Sequence, residues 1–122
     1  MDSQKFEKLV EEAIDRLPEV FRGRLENVDI VVADVPTRSQ LKTLKERRGH
    51  SLLGLYEGVP LTERTHDYGF VAPDKITIFQ KSIEAMCRNE NQIIEEIQRV
   101  VRHEIAHHFG ISDDRLEELG RY

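Results

Sequence analysis

The chain has a single cysteine, no tryptophan and few aromatic residues. It has no apolar run approaching the roughly 20 residues of a membrane-spanning helix. With Cys87 alone, an intramolecular disulfide is excluded, which fits a reducing compartment. Positive charge is not in excess: 18 Lys and Arg stand against 23 Asp and Glu, a net charge of −5. Such a field does not favour nucleic acid or an anionic membrane as partner. The amino terminus, Met1-Asp2-Ser3-Gln4-Lys5-Phe6-Glu7, lacks the basic region and apolar core of a secretory signal. The expectation is a cytoplasmic protein with neither a nucleic-acid nor a membrane partner. A length of 122 residues suits one domain, 1–122, and no repeat, linker or low-complexity segment divides it.

What is present is a set of short amphipathic elements. Phe6, Leu9, Val10, Ala13, Ile14 and Leu17 recur at helical spacing. Glu7, Glu11, Glu12 and Asp15 form a solvated face, and Pro18 marks the end of the helix. Val28 to Val35 is rich in β-branched residues and reads as a strand closed by Pro36. Ser39 is a candidate cap for a short helix carrying Leu41 and Leu44. That helix leads into the one basic stretch, Lys42 to Arg48, which has no interleaved aromatics and reads as an exposed loop. Ser51 to Tyr56 is a second strand and Leu61 to Pro73 a long loop containing His66 and Asp67. Lys75 to Gln80 is a third strand, followed by a brief helix from Ser82 to Arg88. Ile83, Met86 and Cys87 lie on or near its inner side, with Cys87 read as a small buried thiol.

The long helix starts near Asn91 and carries Ile93, Ile94, Ile97, Val100, Val101 and Ile105 as a broad apolar stripe. At its end stands His103-Glu104-Ile105-Ala106-His107-His108-Phe109-Gly110-Ile111-Ser112-Asp113. Residues four apart share a helix face, so His103 and His107 converge on one point, suited to one tetrahedral zinc ion. Glu104, next to the first ligand, is placed to act as general base on a zinc-activated water. Gly110 ends the helix in a left-handed cap, after which Asp113 becomes the candidate third ligand. Asp114 is its rival, and Glu117 and Glu118 lie further on. His108 projects toward the middle of the stripe and reads as a buried histidine with a hydrogen-bond partner, behind the ligands. After Asp114, Leu116 and Leu119 suggest a final short helix.

The extended pattern H-E-x-x-H-x-x-G-x-x-D resembles the zincin metallopeptidases. It approaches the metzincin pattern with aspartate in place of the third histidine, but both methionines, Met1 and Met86, precede the motif and no methionine turn follows it. The closer likeness is to the small bacterial zincin-like metallopeptidases, a minimal zincin family. It rests on Gly54-Leu55-Tyr56-Glu57-Gly58-Val59-Pro60-Leu61-Thr62-Glu63-Arg64 and on His103 to Leu116. The resemblance implies an α+β fold, with a small mixed or antiparallel sheet packed on the motif helix beside the amino-terminal amphipathic helix. It also implies metallopeptidase activity on a peptide or unfolded protein. The Ser51–Tyr56 strand and the segment 58–64 are the expected cleft wall, and Tyr56, Tyr68 and Tyr122 are candidate oxyanion donors. Two other readings stand beside the zinc peptidase: a single-metal endoribonuclease-like hydrolase, supported only by the basic 42–48 stretch, and a non-catalytic zincin-like peptide-binding module.

Overall fold

The computed structural model describes residues 1–46, 53–58 and 73–110. Helix α1, Ser3–Asp15, is capped by Asp2, whose Oδ1 accepts the Lys5 N–H at 2.8 Å. A single turn, α2 (Glu19–Arg22), and a 3₁₀ turn (Gly23–Leu25), which sequence periodicity did not reveal, lead into strand β1, Val28–Ala33. Helix α3 spans Arg38–Glu46. Strands β2 (Gly54–Glu57) and β3 (Asp74–Phe79) follow, then α4 (Gln80–Met86) and the long α5 (Glu90–Phe109).

The sheet is mixed, in the order β1-β3-β2. β1 runs parallel to β3, with Val28 opposite Asp74 and Ile30 opposite Ile76. β2 runs antiparallel to it, with Tyr56 opposite Ile76. Strand alternation divides the side chains between two layers. Tyr56, Ile76 and Ile78 pack with α1 and α5 in the main core, to which Ile30 and Val32 are added. Leu55, Phe79 and Ala33 meet Leu44 of α3 on the opposite face. The stripe on α5 behaves as its spacing requires: Ile93, Ile94, Ile97, Val100, Val101 and Ile105 are all buried.

Element ends differ from the sequence reading where side-chain capping decides them. Thr37, not Ser39, caps α3: its Oγ1 accepts the Gln40 N–H at 3.1 Å while Gln40 Oε1 accepts the Thr37 N–H at 3.0 Å. This reciprocal pair is a capping box with glutamine at the third position. Helix α4 follows β3 without a loop, beginning at Gln80, so Ser82 lies inside the helix rather than at its start. Its last residue, Met86, is 59% exposed rather than inward. Asn89 caps α5, accepting the Gln92 N–H at 2.9 Å. The expected loop over 61–73, with its His66 and Asp67, and the expected helix at Leu116 and Leu119 fall on residues outside those described, apart from Pro73.

One close approach seats α5 on the sheet. A Cβ placed on Gly54 would stand 2.5 Å from Cγ1 of Val100 and 3.1 Å from the Thr77 carbonyl oxygen. Only glycine lets the helix come this close to β2. One helical turn after Val100 comes Glu104, and two strand residues after Gly54 comes Tyr56, about the same distance along both elements. The contact therefore sets the helix motif against the strand.

Candidate metal and catalytic site

The last turns of α5 present the motif. His103 and His107 lie one turn apart with ring centroids 6.3 Å from each other and planes inclined by 75°. Two imidazoles on one tetrahedral zinc, at Zn–N distances near 2.0–2.1 Å, bring their centroids to about 5 Å, so a small rotation of the rings accommodates the ion. Neutral imidazoles are ordinary zinc donors, and the two histidines fit the metal as part of such a donor set. The carboxylate expected from Asp113, or from its rival Asp114, falls outside the described residues. Among the described residues no three His, Cys, Asp or Glu side chains converge on one point. Gly110 adopts φ 70° and ψ 28° and its N–H bonds to the Ala106 carbonyl, the left-handed cap expected of it.

Glu104 points differently from both histidines. It is only 5% exposed, and its Oε1 accepts the main-chain N–H of Tyr56 at 2.7 Å. The strand explains why that donor is available. The Phe79 N–H donates to the Leu53 carbonyl at 2.9 Å, so residues 53, 55 and 57 turn their main-chain groups toward β3. Gly54 and Tyr56 turn theirs away, along the outer edge of β2. Glu104 thus ties the motif helix directly to β2, an edge strand among the described residues.

Tyr56 is held at both ends. Its hydroxyl donates to Oδ2 of Asp74 at 2.6 Å, and Asp74 is 6% exposed. Its ring stacks on His108, with centroids 3.9 Å apart and an interplanar angle of 15°. His108 Nε2 lies 3.8 Å from the same Asp74 oxygen. The imidazole expected to be buried is instead 35% exposed, because its position at the last turn carries it past the end of the core. At 3.8 Å its contact with Asp74 is longer than the expected hydrogen bond. The hydroxyl proton of Tyr56 is committed to Asp74, so Tyr56 is not placed as an oxyanion donor. Tyr68 and Tyr122 lie outside the described residues.

Asp74 was missed in the sequence. It opens β3 two residues before Ile76, the partner of Tyr56, and so is the diagonal neighbour of Tyr56 on one sheet face. No local pattern marks it, and only the register of two strands 18 residues apart brings it to Tyr56.

The sequence profile of the zincin-like metallopeptidases matches residues 25–121. The chain belongs to this zincin-like metallopeptidase family. Its fold is the small α+β domain described above. At the level of the family, membership supports a zinc-binding hydrolase of the metallopeptidase kind. Among solved structures, this zincin-like chain is similar to a conserved hypothetical protein from Thermo thermophilus, with 20% identity and a TM-score of 0.52. That likeness covers 89% of this chain and 94% of the other, and it speaks for the fold alone. No curated protein matches the sequence. Among the described residues no helix is long and apolar enough to cross a membrane.

Proposed function

We propose that this zincin-like domain hydrolyses peptide bonds, with one zinc ion held by His103, His107 and Asp113, and with Glu104 as general base. The observation that carries the reading is the 2.7 Å hydrogen bond from Tyr56 to Glu104. It holds the carboxylate of the residue that follows His103 against β2, along whose outer edge an extended chain can lie. When bound, zinc supplies an activated water nucleophile and polarises the scissile carbonyl. Glu104 takes the proton of the nucleophile and returns it to the leaving amine. Its orientation is set before substrate arrives, because Oε1 is anchored to the strand. Such preorganisation spares the reaction the reordering of its base.

Along the outer edge of β2 the Tyr56 N–H is taken by Glu104, so an extended peptide would pair through the main-chain groups of Gly54, a mode that makes little demand on substrate sequence. A short peptide or an unfolded protein is the substrate class that fits. In this reading the protein acts in the cytoplasm, with neither nucleic acid nor membrane as partner. The test combines zinc stoichiometry with hydrolysis of an unfolded protein such as reduced casein. Glu104→Gln is expected to bind zinc as wild type does and to lose about 10²-fold or more in kcat. A Glu104→Gln protein that hydrolyses at the wild-type rate overturns the assignment of the base.

A further inference from the structure

The sheet has a second edge, away from the histidines. β3 lies between the two outer strands, so β1 is the opposite border. The Asn27 carbonyl accepts the Asp74 N–H at 3.1 Å, which places residue 27 among those facing β3. By alternation Val28, Ile30 and Val32 turn their main-chain groups outward, and no strand of the described structure pairs with them. Natural edge strands are commonly blunted by charged side chains, lysine above all, by proline or by a bulge. β1, Val-Asp-Ile-Val-Val-Ala, has no lysine, proline or bulge over its six paired residues, and its one charge, Asp29, belongs to a residue whose main-chain groups face β3 rather than the open edge.

Beside this edge a groove of about 570 Å³ opens between α1 and β1. Its apolar floor is Val10, Ile14, Ile30 and Val32. Its helical rim carries Glu7, Glu11 and Asp15, one turn apart and exposed. The ion pairs of the neighbouring residues run elsewhere: Arg16 pairs with Glu12 and Lys5 with Glu90. Three carboxylates therefore line an apolar slot along an open strand edge.

We infer that the β1 edge and the acidic row of α1 form a docking site for an extended segment of a partner protein, one that alternates basic and apolar residues. Such a segment adds a strand to β1 with its lysine or arginine side chains on the α1 face, their aliphatic stems lying over the slot and their charged ends reaching Glu7, Glu11 and Asp15, and with its apolar side chains on the opposite face of the sheet. A second copy of this chain fits poorly. Two β1 edges paired about a two-fold axis would bring two acidic rows together, and like charges across an interface oppose association. The site is independent of the chemistry at α5.

The test uses a capped peptide of about eight residues alternating valine and lysine, and a control with glutamate in place of lysine. Each is titrated into the full chain carrying Glu104→Gln, which prevents cleavage of the probe. Amide NMR shifts are followed at Ile30 and Val32 and, at the other edge, at Gly54 and Tyr56. The lysine peptide is expected to shift Ile30 and Val32, and the glutamate peptide to leave them unmoved. The double variant Glu7→Lys, Glu11→Lys alters only exposed positions and is expected to weaken binding about tenfold or more. Raising salt is expected to weaken it in the same direction. Shifts confined to Gly54 and Tyr56 overturn the proposal, as does binding indifferent to the charge reversal. A β1 edge that stays silent toward the lysine peptide, or that shifts with protein concentration alone and so pairs two copies, overturns it too.

Discussion

Gly54 and Val100 touch so closely that a single added methyl group would stand 2.5 Å from Cγ1 of the valine. The valine cannot swing aside, because its β-branch leaves it one strongly preferred rotamer in a helix. The backbone on the other side of Gly54 is no softer, since the Thr77 carbonyl oxygen is 3.1 Å from the same point. Gly54→Ala is therefore expected to lose about 1–3 kcal/mol of stability, the usual range for an overfilled core. Urea denaturation measures it. A variant as stable as wild type would show that α5 and β2 separate without loss.

Glu104 has a structural role that can be separated from its chemistry. Its carboxylate accepts a buried main-chain N–H, and Glu104→Ala removes that bond. Glu104→Ala is expected to lose about 1–3 kcal/mol, the range for losing a buried hydrogen bond to a charged group. Glu104→Gln retains a carbonyl oxygen and is expected to melt close to wild type. Paired thermal melts of the two variants decide it. Equal destabilisation would mean that the hydrogen bond contributes nothing in particular.

The sequence disclosed the elements that rest on local pattern and withheld those that rest on register. The stripe on α5 and the run of apolar residues on α1 follow from helical spacing, so their buried residues were legible. The cap at Gly110 and the one-turn spacing of His103 and His107 were legible for the same reason, since left-handed backbone and helical spacing are properties of a few adjacent residues. The contact of Tyr56 with Asp74 was not, because it joins residues 18 apart through the pairing of two strands. The cap at Thr37 was hidden by a nearer serine, and the choice lay with Gln40, which completes the reciprocal bonds. His108 was assigned to the core by its angle on the helix wheel, but the core ends one turn earlier.

The buried pair of Tyr56 and Asp74 gives a third prediction. A hydroxyl that donates to a carboxylate typically contributes about 1.5–3 kcal/mol, more than a bond between neutral groups. Tyr56→Phe keeps the ring on His108 and removes only that donor, so the loss in stability is expected at about this size. Tyr56→Phe, His108→Ala should lose more than Tyr56→Phe alone, since the stacked partner goes too. Denaturation of the single and double variants supplies the comparison, and an unchanged Tyr56→Phe would remove Asp74 from the account of the site.

Cys87 lies partly buried against the main core, just after α4. Burial raises its thiol above the ordinary cysteine value, and the nearby charge of Glu96 pushes the same way. Only the thiolate reacts, so alkylation by iodoacetamide at pH 8 is expected to run more slowly than for a free thiol, with its pH midpoint displaced upward. The sign for stability follows. A folded value above the unfolded one gives a contribution fully present below the unfolded value and lost as pH rises through the folded one. A midpoint at or below that of a small thiol would contradict the burial of this side chain.

The ligand set is open to a direct count. His103 and His107 lie one turn apart on α5, and two imidazoles alone bind zinc weakly beside a site completed by a carboxylate. His103→Ala and His107→Ala are expected to abolish stoichiometric zinc binding at neutral pH. Asp113→Ala is expected to weaken it by about 10-fold or more, while Asp114→Ala leaves it near wild type. Affinity should fall on acidification in the proteins that still bind, because imidazole must be neutral to coordinate. Competition titration with a zinc chelator reads each affinity without reference to catalysis. Should Asp114→Ala weaken binding and Asp113→Ala not, the third ligand moves one residue along the chain and the peptidase reading survives. Should neither variant weaken it, the acid that completes the site lies elsewhere, and the order of residues after Gly110 no longer explains it.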